Sequence, residues 1–146
     1  NPFSSIDVSN MTVIEKLFVD HSNLTSIDLS NNTALTHLRI GHTAITSIDL
    51  SNNVNLTAAG MDNTQLSGTV DLTANVNLNF INLMMNPGVN VINLGSNINL
   101  NTLTLLATGI DSTATIKVGS GARVTLANSL FTVANGSIST GTTFIV

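Results

Sequence analysis

The eight residues TSIDLSNN occur twice in this chain, at residues 25–32 and again at residues 46–53, which sets a repeat period of 21 residues (46 − 25). A repeat this short constrains the fold strongly, because a single unit cannot bury its own apolar side chains and must stack on its neighbours. Between the two copies, the apolar pattern LxxLxLxxTxL is carried by Leu35, Leu38, Ile40, Thr43 and Ile45. The sequence therefore predicts a solenoid.

Two apolar segments recur in every unit. The first is predicted to be a strand at residues 17–19, 38–40, 59–61, 81–83, 103–105 and 124–126. The second is predicted to be a strand on the opposite wall, at residues 6–8, 27–29, 48–50, 70–72, 92–94 and, more loosely, 116–118. Successive side chains of a strand point to opposite faces, so the outer two residues of each segment should point into the core. Too few residues remain in a unit for a helix of normal length.

The predicted fold class is an all-β, parallel β-solenoid of about six coils, with short strands on both walls and little helix. It should be a single domain over residues 1–146, with regular repeats at about 6–110 and looser or cap-like coils at 111–146. No polar cap is recognisable at either end, and residues 144–146 are spaced like one more strand. We therefore expect open coil ends, and a first residue other than Met favours a fragment of a longer chain.

The repeat resembles that of bacterial leucine-rich repeat proteins with units of 21–22 residues of the form LxxLDLSxNxxLxxLxxxxNxL, from Ile6 to about Leu126. It departs from this form at Ala59, where Leu is expected, and at the conserved Asn, which is represented here by Ser22, Thr43, Thr64, Asn86 and Thr108. A short polar side chain bonded to the corner backbone would serve at those positions. The resemblance implies a leucine-rich repeat solenoid that is secreted or on the cell surface and binds a partner through its concave wall.

Composition excludes several function classes. Only 8% of residues are charged and the net charge is −4, so a nucleic-acid or anionic-membrane partner is not expected. No apolar run approaches membrane-spanning length, which argues against membrane insertion. The chain has no cysteine, no nucleophile with an orienting base and no glycine-rich phosphate loop, so neither an enzyme nor a cofactor is predicted.

Two columns of polar residues recur along the coils. The second wall carries Asp7, Asp28, Asp49 and Asp71, and the corner after it carries Asn32, Asn53, Asn75 and Asn97. Stacked carboxylates repel one another and should resist ionising together, although flanking Ser and Thr hydroxyls are suited to relieve this. Both columns are predicted to be hydrogen-bonded structural ladders. A calcium-binding strip is the alternative for the Asp column, but it would need more oxygen ligands around each Asp than the pattern supplies.

Histidine recurs at the repeat period as well. His21 and His42 are 21 residues apart (42 − 21), so they should stack in neighbouring coils, with Asp20 and Asp62 in the adjacent column. Two histidines with a carboxylate are a possible transition-metal set. Because they lie at a solvent-facing corner without supporting partners, no metal site is predicted.

The outward residues of the first wall change chemistry from coil to coil. The predicted binding residues on this concave face are Lys16, Phe18, Asp20, His37, Arg39, Phe80, Asn82 and Met84. Variation around apolar and arginine anchors is typical of a surface that binds a protein, and neutral variation on an exposed face is the alternative. The absence of Trp and Tyr counts against a sugar-stacking surface.

These observations predict a non-enzymatic, extracellular recognition or adhesion module for a protein ligand. The alternative is a structural subunit, such as a segment of a fibre or virion appendage, that self-associates by end-to-end stacking of uncapped coils. An ice-binding coil would need one flat face of regular Thr rows, and the Asp column and the mixed first wall leave no such face.

Overall fold

The computed structural model describes residues 3–94 with their side chains, and residues 102–104 and 115–117 as backbone strands. The strands are β1 (Lys16–Phe18), β2 (His37–Arg39), β3 (Ala58–Gly60), β4 (Ser67–Asp71), β5 (Phe80–Asn82), β6 (Gly88–Asn93), β7 (Thr102–Thr104) and β8 (Thr115–Lys117). All pairing is parallel, with the order β1-β2-β3-β5-β7 on the first wall and β4-β6-β8 on the second. The described chain is thus an all-β parallel solenoid, and its described residues contain no helix.

The first wall keeps the predicted register. Leu17 pairs with Leu38, Leu38 with Ala59, and Ala59 with Ile81. All four side chains are buried, as the alternating pattern requires. The strands begin one residue earlier than predicted, but the hydrogen bonding between coils continues past them, since the N–H groups of Val19, Ile40 and Met61 donate to the next coil.

The core lies between the two walls. Its largest members are aliphatic residues that repeat at the predicted positions, including Leu35, Leu38, Ile40 and Ile45, all 0% exposed. Burying a side chain of this size contributes roughly 1.5–3 kcal/mol. Because each coil buries its apolar residues against the next one, stacking and core formation are the same event in this fold.

The second wall differs from the prediction in the first three coils. Residues 6–8, 27–29 and 48–50 are not strands, and the second sheet begins only at β4. In these coils the carbonyls of Val8, Leu29 and Leu50 accept turn N–H groups and corner Asn amides, so the groups at the end of the segment are already occupied. The strand appears where the wall gains one residue around Gly68, whose φ is 70°, and the repeat lengthens to 22 residues (81 − 59).

The corner after the second wall is built from two successive turns and a buried asparagine. Asn53, for example, donates its Nδ2 hydrogens to Leu29 O at 3.1 Å and Asn32 O at 2.9 Å in the preceding coil. Asn32 and Asn75 make the same kind of contacts, and all three side chains are 0% exposed. Met11 occupies the equivalent position in the first coil, one period before Asn32. These amides therefore link each coil to the one before it.

The opposite corner replaces the expected Asn with hydroxyl residues. Ser22 and Thr43 each donate to the carbonyl three residues earlier, at 2.8 Å, and Thr64 does the same at 3.4 Å. All three are buried. A short polar group bonded to the corner backbone thus serves where the leucine-rich repeat form has Asn, as the sequence predicted.

Some predictions concern residues that the structure describes only in part or not at all. The pairing of Ile92 with Ile116 confirms a second-wall strand in the looser segment. Burial of Leu103 and Leu105, the exposure of Thr104, Asn97 of the Asn column, the strand at 124–126 and the ends of coils at 144–146 lie outside the described side chains.

Candidate functional site

The first-wall surface is the outward face of β1, β2, β3 and β5. Register aligns its residues in columns across the coils, so that Lys16, His37, Ala58 and Phe80 form one column and Phe18, Arg39, Gly60 and Asn82 form the next. Five of the predicted binding residues, Lys16, Phe18, His37, Arg39 and Phe80, thus lie in two adjacent columns, with Asn82 completing the second. Chemistry changes at every step along each column.

A shallow depression of about 340 Å³ lies in the middle of this surface. Its floor is formed by Ala58 and Gly60, whose small side chains leave space between the larger residues of the flanking strands. Phe18 and Arg39 border it on one side and Phe80 on the other. The predicted binding residues did not include Ala58 and Gly60. The signal that could have found them is the loss of side-chain volume at both outward positions of one strand.

Arg39 is held in place by two neighbours. Its Nη2 donates to Asp20 Oδ2 at 2.8 Å, and its Cζ lies 5.7 Å from the centroid of the Phe18 ring. The arginine side chain is 59% exposed, so this ion pair contributes at most about 1 kcal/mol to stability. Its effect is to orient the guanidinium, because a planar group fixed at two points directs its remaining N–H groups.

Asp62 connects three consecutive coils. One carboxylate oxygen accepts a hydrogen bond from Asn82 Nδ2 at 3.1 Å, and the other lies 3.4 Å from His42 Nε2. Gly41 makes room for this carboxylate, since a Cβ on Gly41 would lie 2.9 Å from Asp62 Oδ1. Together with the pair formed by Asp20 and Arg39, these contacts link each coil to the next across the surface.

The histidine corner borders the surface. The rings of His21 and His42 stack as predicted, with centroids 4.2 Å apart and planes 12° apart. Asp62 is beside this pair, as predicted, whereas the side chain of Asp20 is paired with Arg39 instead. Within residues 3–94, no three His, Cys, Asp or Glu side chains gather closely enough to hold a metal ion.

Backbone geometry explains why this corner protrudes. Both histidines and the two residues that follow them in the column, Asn63 and Met85, have positive φ between 49° and 57°. This left-handed conformation is uncommon for residues other than glycine and turns the chain sharply. Met85 is 51% exposed, whereas the predicted Met84 is half-buried. The more exposed methionine is therefore the corner residue.

The second wall is chemically uniform by comparison. Each Asp carboxylate accepts the backbone N–H two residues later, with Ser30 N to Asp28 Oδ1 at 2.9 Å as an example. The equivalent bonds are made by Asp7, Asp49 and Asp71. The side chains are fully exposed, so the wall presents the same short acidic turn in every coil.

The expectation that these carboxylates resist ionising is wrong. The N–H and hydroxyl of Ser30 lower the pKa of Asp28 below its ordinary value of 3.8, which outweighs the partial burial and the negative charges of Asp49 and Asp7. Ser51 lowers the pKa of Asp49 in the same way, and for Asp7 the Ser9 hydroxyl is the larger cause, followed by the Ser9 N–H. Hydrogen bonding within each turn is stronger than repulsion between coils.

No protein-family model and no curated protein matches this chain. Among solved structures it is similar to the functional domain of InlJ from Listeria monocytogenes, with 17% sequence identity and a TM-score of 0.49. The alignment covers 81% of this chain and 38% of that one. The InlJ domain includes a cysteine ladder, whereas this chain has no cysteine.

In the described part of the chain, no helix is long and apolar enough to cross a membrane.

Proposed function

We propose that this solenoid is a non-enzymatic recognition module, outside the cell, that binds a protein partner through the first-wall surface. The contrast between the two walls supports this proposal. On the second wall the same Asp turn is repeated, whereas on the first wall the outward residues of neighbouring coils differ in size, charge and polarity. A surface that discriminates among partners needs such non-repeating chemistry.

The observation that carries the proposal is the depression with aromatic residues on both sides. Phe18 is 54% exposed and Phe80 is 38% exposed, although solubility alone favours polar residues at outward strand positions. Aromatic and arginine anchors beside a concavity typically carry about 2 kcal/mol or more each in a protein interface. Arg39, already oriented by Asp20 and Phe18, is such an anchor.

The proposed location and adhesion role rest on the repeat itself. Its form resembles that of secreted and cell-surface bacterial leucine-rich repeat proteins. The low share of charged residues, 8%, leaves Asn, Ser, Thr and Gly to form the exposed turns.

The test compares single variants on opposite walls. Phe80→Ala and Arg39→Ala should leave the melting temperature nearly unchanged, because both side chains are exposed, while affinity for the partner falls at least tenfold, as expected for an anchor residue. Asp49→Asn, on the second wall, is the matched control and should keep parental affinity. The partner is first recovered from a host-surface extract with the parent protein, and its affinity for each variant is then measured by calorimetry. Equal affinity for parent, Phe80→Ala and Arg39→Ala would exclude the first-wall surface.

A second candidate is self-association through the end of the solenoid, as in a structural subunit. In the described chain, β1 is an edge strand, and the Lys16 and Phe18 backbone groups point away from β2, because Glu15 O and Val19 N are those bonded to it. Val13 is 83% exposed and Met11 47% exposed near this edge. Open edges with apolar flanks recruit further strands. Sedimentation should then show association that Val13→Lys abolishes, and a monomer at all concentrations would exclude this candidate.

A further inference from the structure

We infer that the first-wall surface binds an extended peptide segment of its partner that carries a carboxylate two residues from an apolar side chain. This inference rests on the proposed function and specifies the ligand of the same surface. It follows from the distribution of charge and from the position of the depression, which lies one strand away from the basic residues.

Positive charge is concentrated in one place. Lys16 and Arg39 are the only lysine and arginine among residues 3–94, and both project outward from neighbouring strands of the first wall. His37 lies between them, since it pairs with Lys16 in register and precedes Arg39 by two residues on the same face. Lys16 and Arg39 are both exposed. An anionic group approaching the first wall therefore meets these side chains first.

Negative charge defines the opposite wall. Asp7, Asp28 and Asp49 are exposed, and hydrogen bonds within their turns lower the pKa of each, so all three are ionised at neutral pH. An acidic segment is thus repelled from the second wall and attracted to the basic end of the first wall. On the first wall itself, the two nearby carboxylates are occupied, that of Asp20 by Arg39 and that of Asp62 by His42 and Asn82.

Spacing connects the carboxylate with the apolar side chain. Adjacent strands lie about 4.8 Å apart, so the distance from Arg39 on β2 to the gap between Ala58 on β3 and Phe80 on β5 is about 7 Å, one and a half strand spacings. Side chains two residues apart in an extended peptide point the same way and are separated by nearly the same distance. A segment crossing the strands can therefore pair its carboxylate with Lys16 or Arg39 and place its apolar residue over Gly60.

The experiment uses the whole chain as bait for a display library of random linear peptides. Enriched peptides should carry Asp or Glu two residues from Leu, Ile, Met or Phe. Resynthesised peptides should bind about tenfold or more weakly to Lys16→Glu, because an attraction becomes a repulsion, and their binding should weaken as salt is added. Replacing the peptide carboxylate by its amide should reduce affinity for the parent by a similar factor and abolish the difference between parent and Lys16→Glu.

The outcomes separate this inference from the proposed function. Peptides that lack an acidic residue yet lose affinity for Phe80→Ala would refute the ligand class and leave the first-wall surface in place. Peptides that bind Phe80→Ala and Lys16→Glu as well as they bind the parent would refute both. Absence of any enriched motif would also refute the ligand class, and the calorimetric test with the native partner would then decide the function alone. Asp49→Asn serves as the control throughout.

Discussion

Replacing Asn53 tests how the coils are held together. Its side chain is 0% exposed, and its amide donates to two carbonyls of the preceding coil, Leu29 O at 3.1 Å and Asn32 O at 2.9 Å. Alanine at this position removes both donors and leaves a small void. Because the amide lies between coils, the change should weaken coil stacking without altering either exposed wall.

The magnitude follows from what remains bonded. Leu29 O still accepts Asn32 N at 3.0 Å and Asn32 O still accepts Leu35 N at 3.1 Å, so neither carbonyl loses all its partners. Each lost bond then costs about 1 kcal/mol, and with the void we expect a loss of about 2–3 kcal/mol in the free energy of unfolding. In a protein of this size that lowers the melting temperature by roughly 5–10 °C.

Asn55→Ala is the matched control. Asn55 lies two residues away and also donates to the preceding coil, to Thr33 O at 2.9 Å, but its side chain is exposed. We expect a change within about 0.5 kcal/mol for this variant. Asn53→Asp should be worse than Asn53→Ala, because it sets carboxylate oxygens against two carbonyl oxygens. Melting followed by circular dichroism measures all three, and equal losses for Asn53→Ala and Asn55→Ala would refute the ladder as a source of stability.

Two further predictions concern the walls. Since the pKa values of Asp7, Asp28 and Asp49 are lower in the folded chain than their ordinary 3.8, their contribution to stability is complete above that pH and is lost as pH falls through the folded values. Acid titration of stability should therefore show a decline below about pH 4 that is reduced in the triple Asp→Asn variant, and an unchanged decline would contradict this. On the first wall, Gly41→Ala should destabilise the chain by about 1–3 kcal/mol, because its Cβ would displace the Asp62 carboxylate, whereas Gly60→Ala, with its nearest contact at 3.4 Å, should be tolerated in denaturant unfolding.

The first wall could be predicted from the sequence because one physical requirement governs it. Inward residues such as Leu38 and Ile81 must be apolar at every period, and a shift of one residue would expose all of them, so the pattern alone sets the register. The Asn column was predictable for a related reason, since a buried amide with donors is needed once per coil. Repetition makes these features visible without any structure.

Other features depend on competition between local interactions. Whether residues 27–29 pair as a strand is decided by how many of their backbone groups the corner turns and amides already occupy. The ionisation of Asp28 is likewise decided by the Ser30 donors two residues away, against the charges one coil away. The column pattern shows the repulsion between coils plainly and the stronger bond within the turn only weakly, so the sequence favoured the wrong sign.

The candidate site was the hardest to predict because it is defined by a difference between coils. Ala58 and Gly60 form a floor only because Phe18, Arg39 and Phe80 flank them on neighbouring strands. The inward residues and the corner amides, which hold the coils together, do not involve these outward positions. Substitutions on the first-wall surface can therefore change size and charge at little cost in stability, except where Gly41 and Asp62 link the coils. A surface that is free to vary in this way, on a core that is not, is suited to changing its partner while keeping its fold.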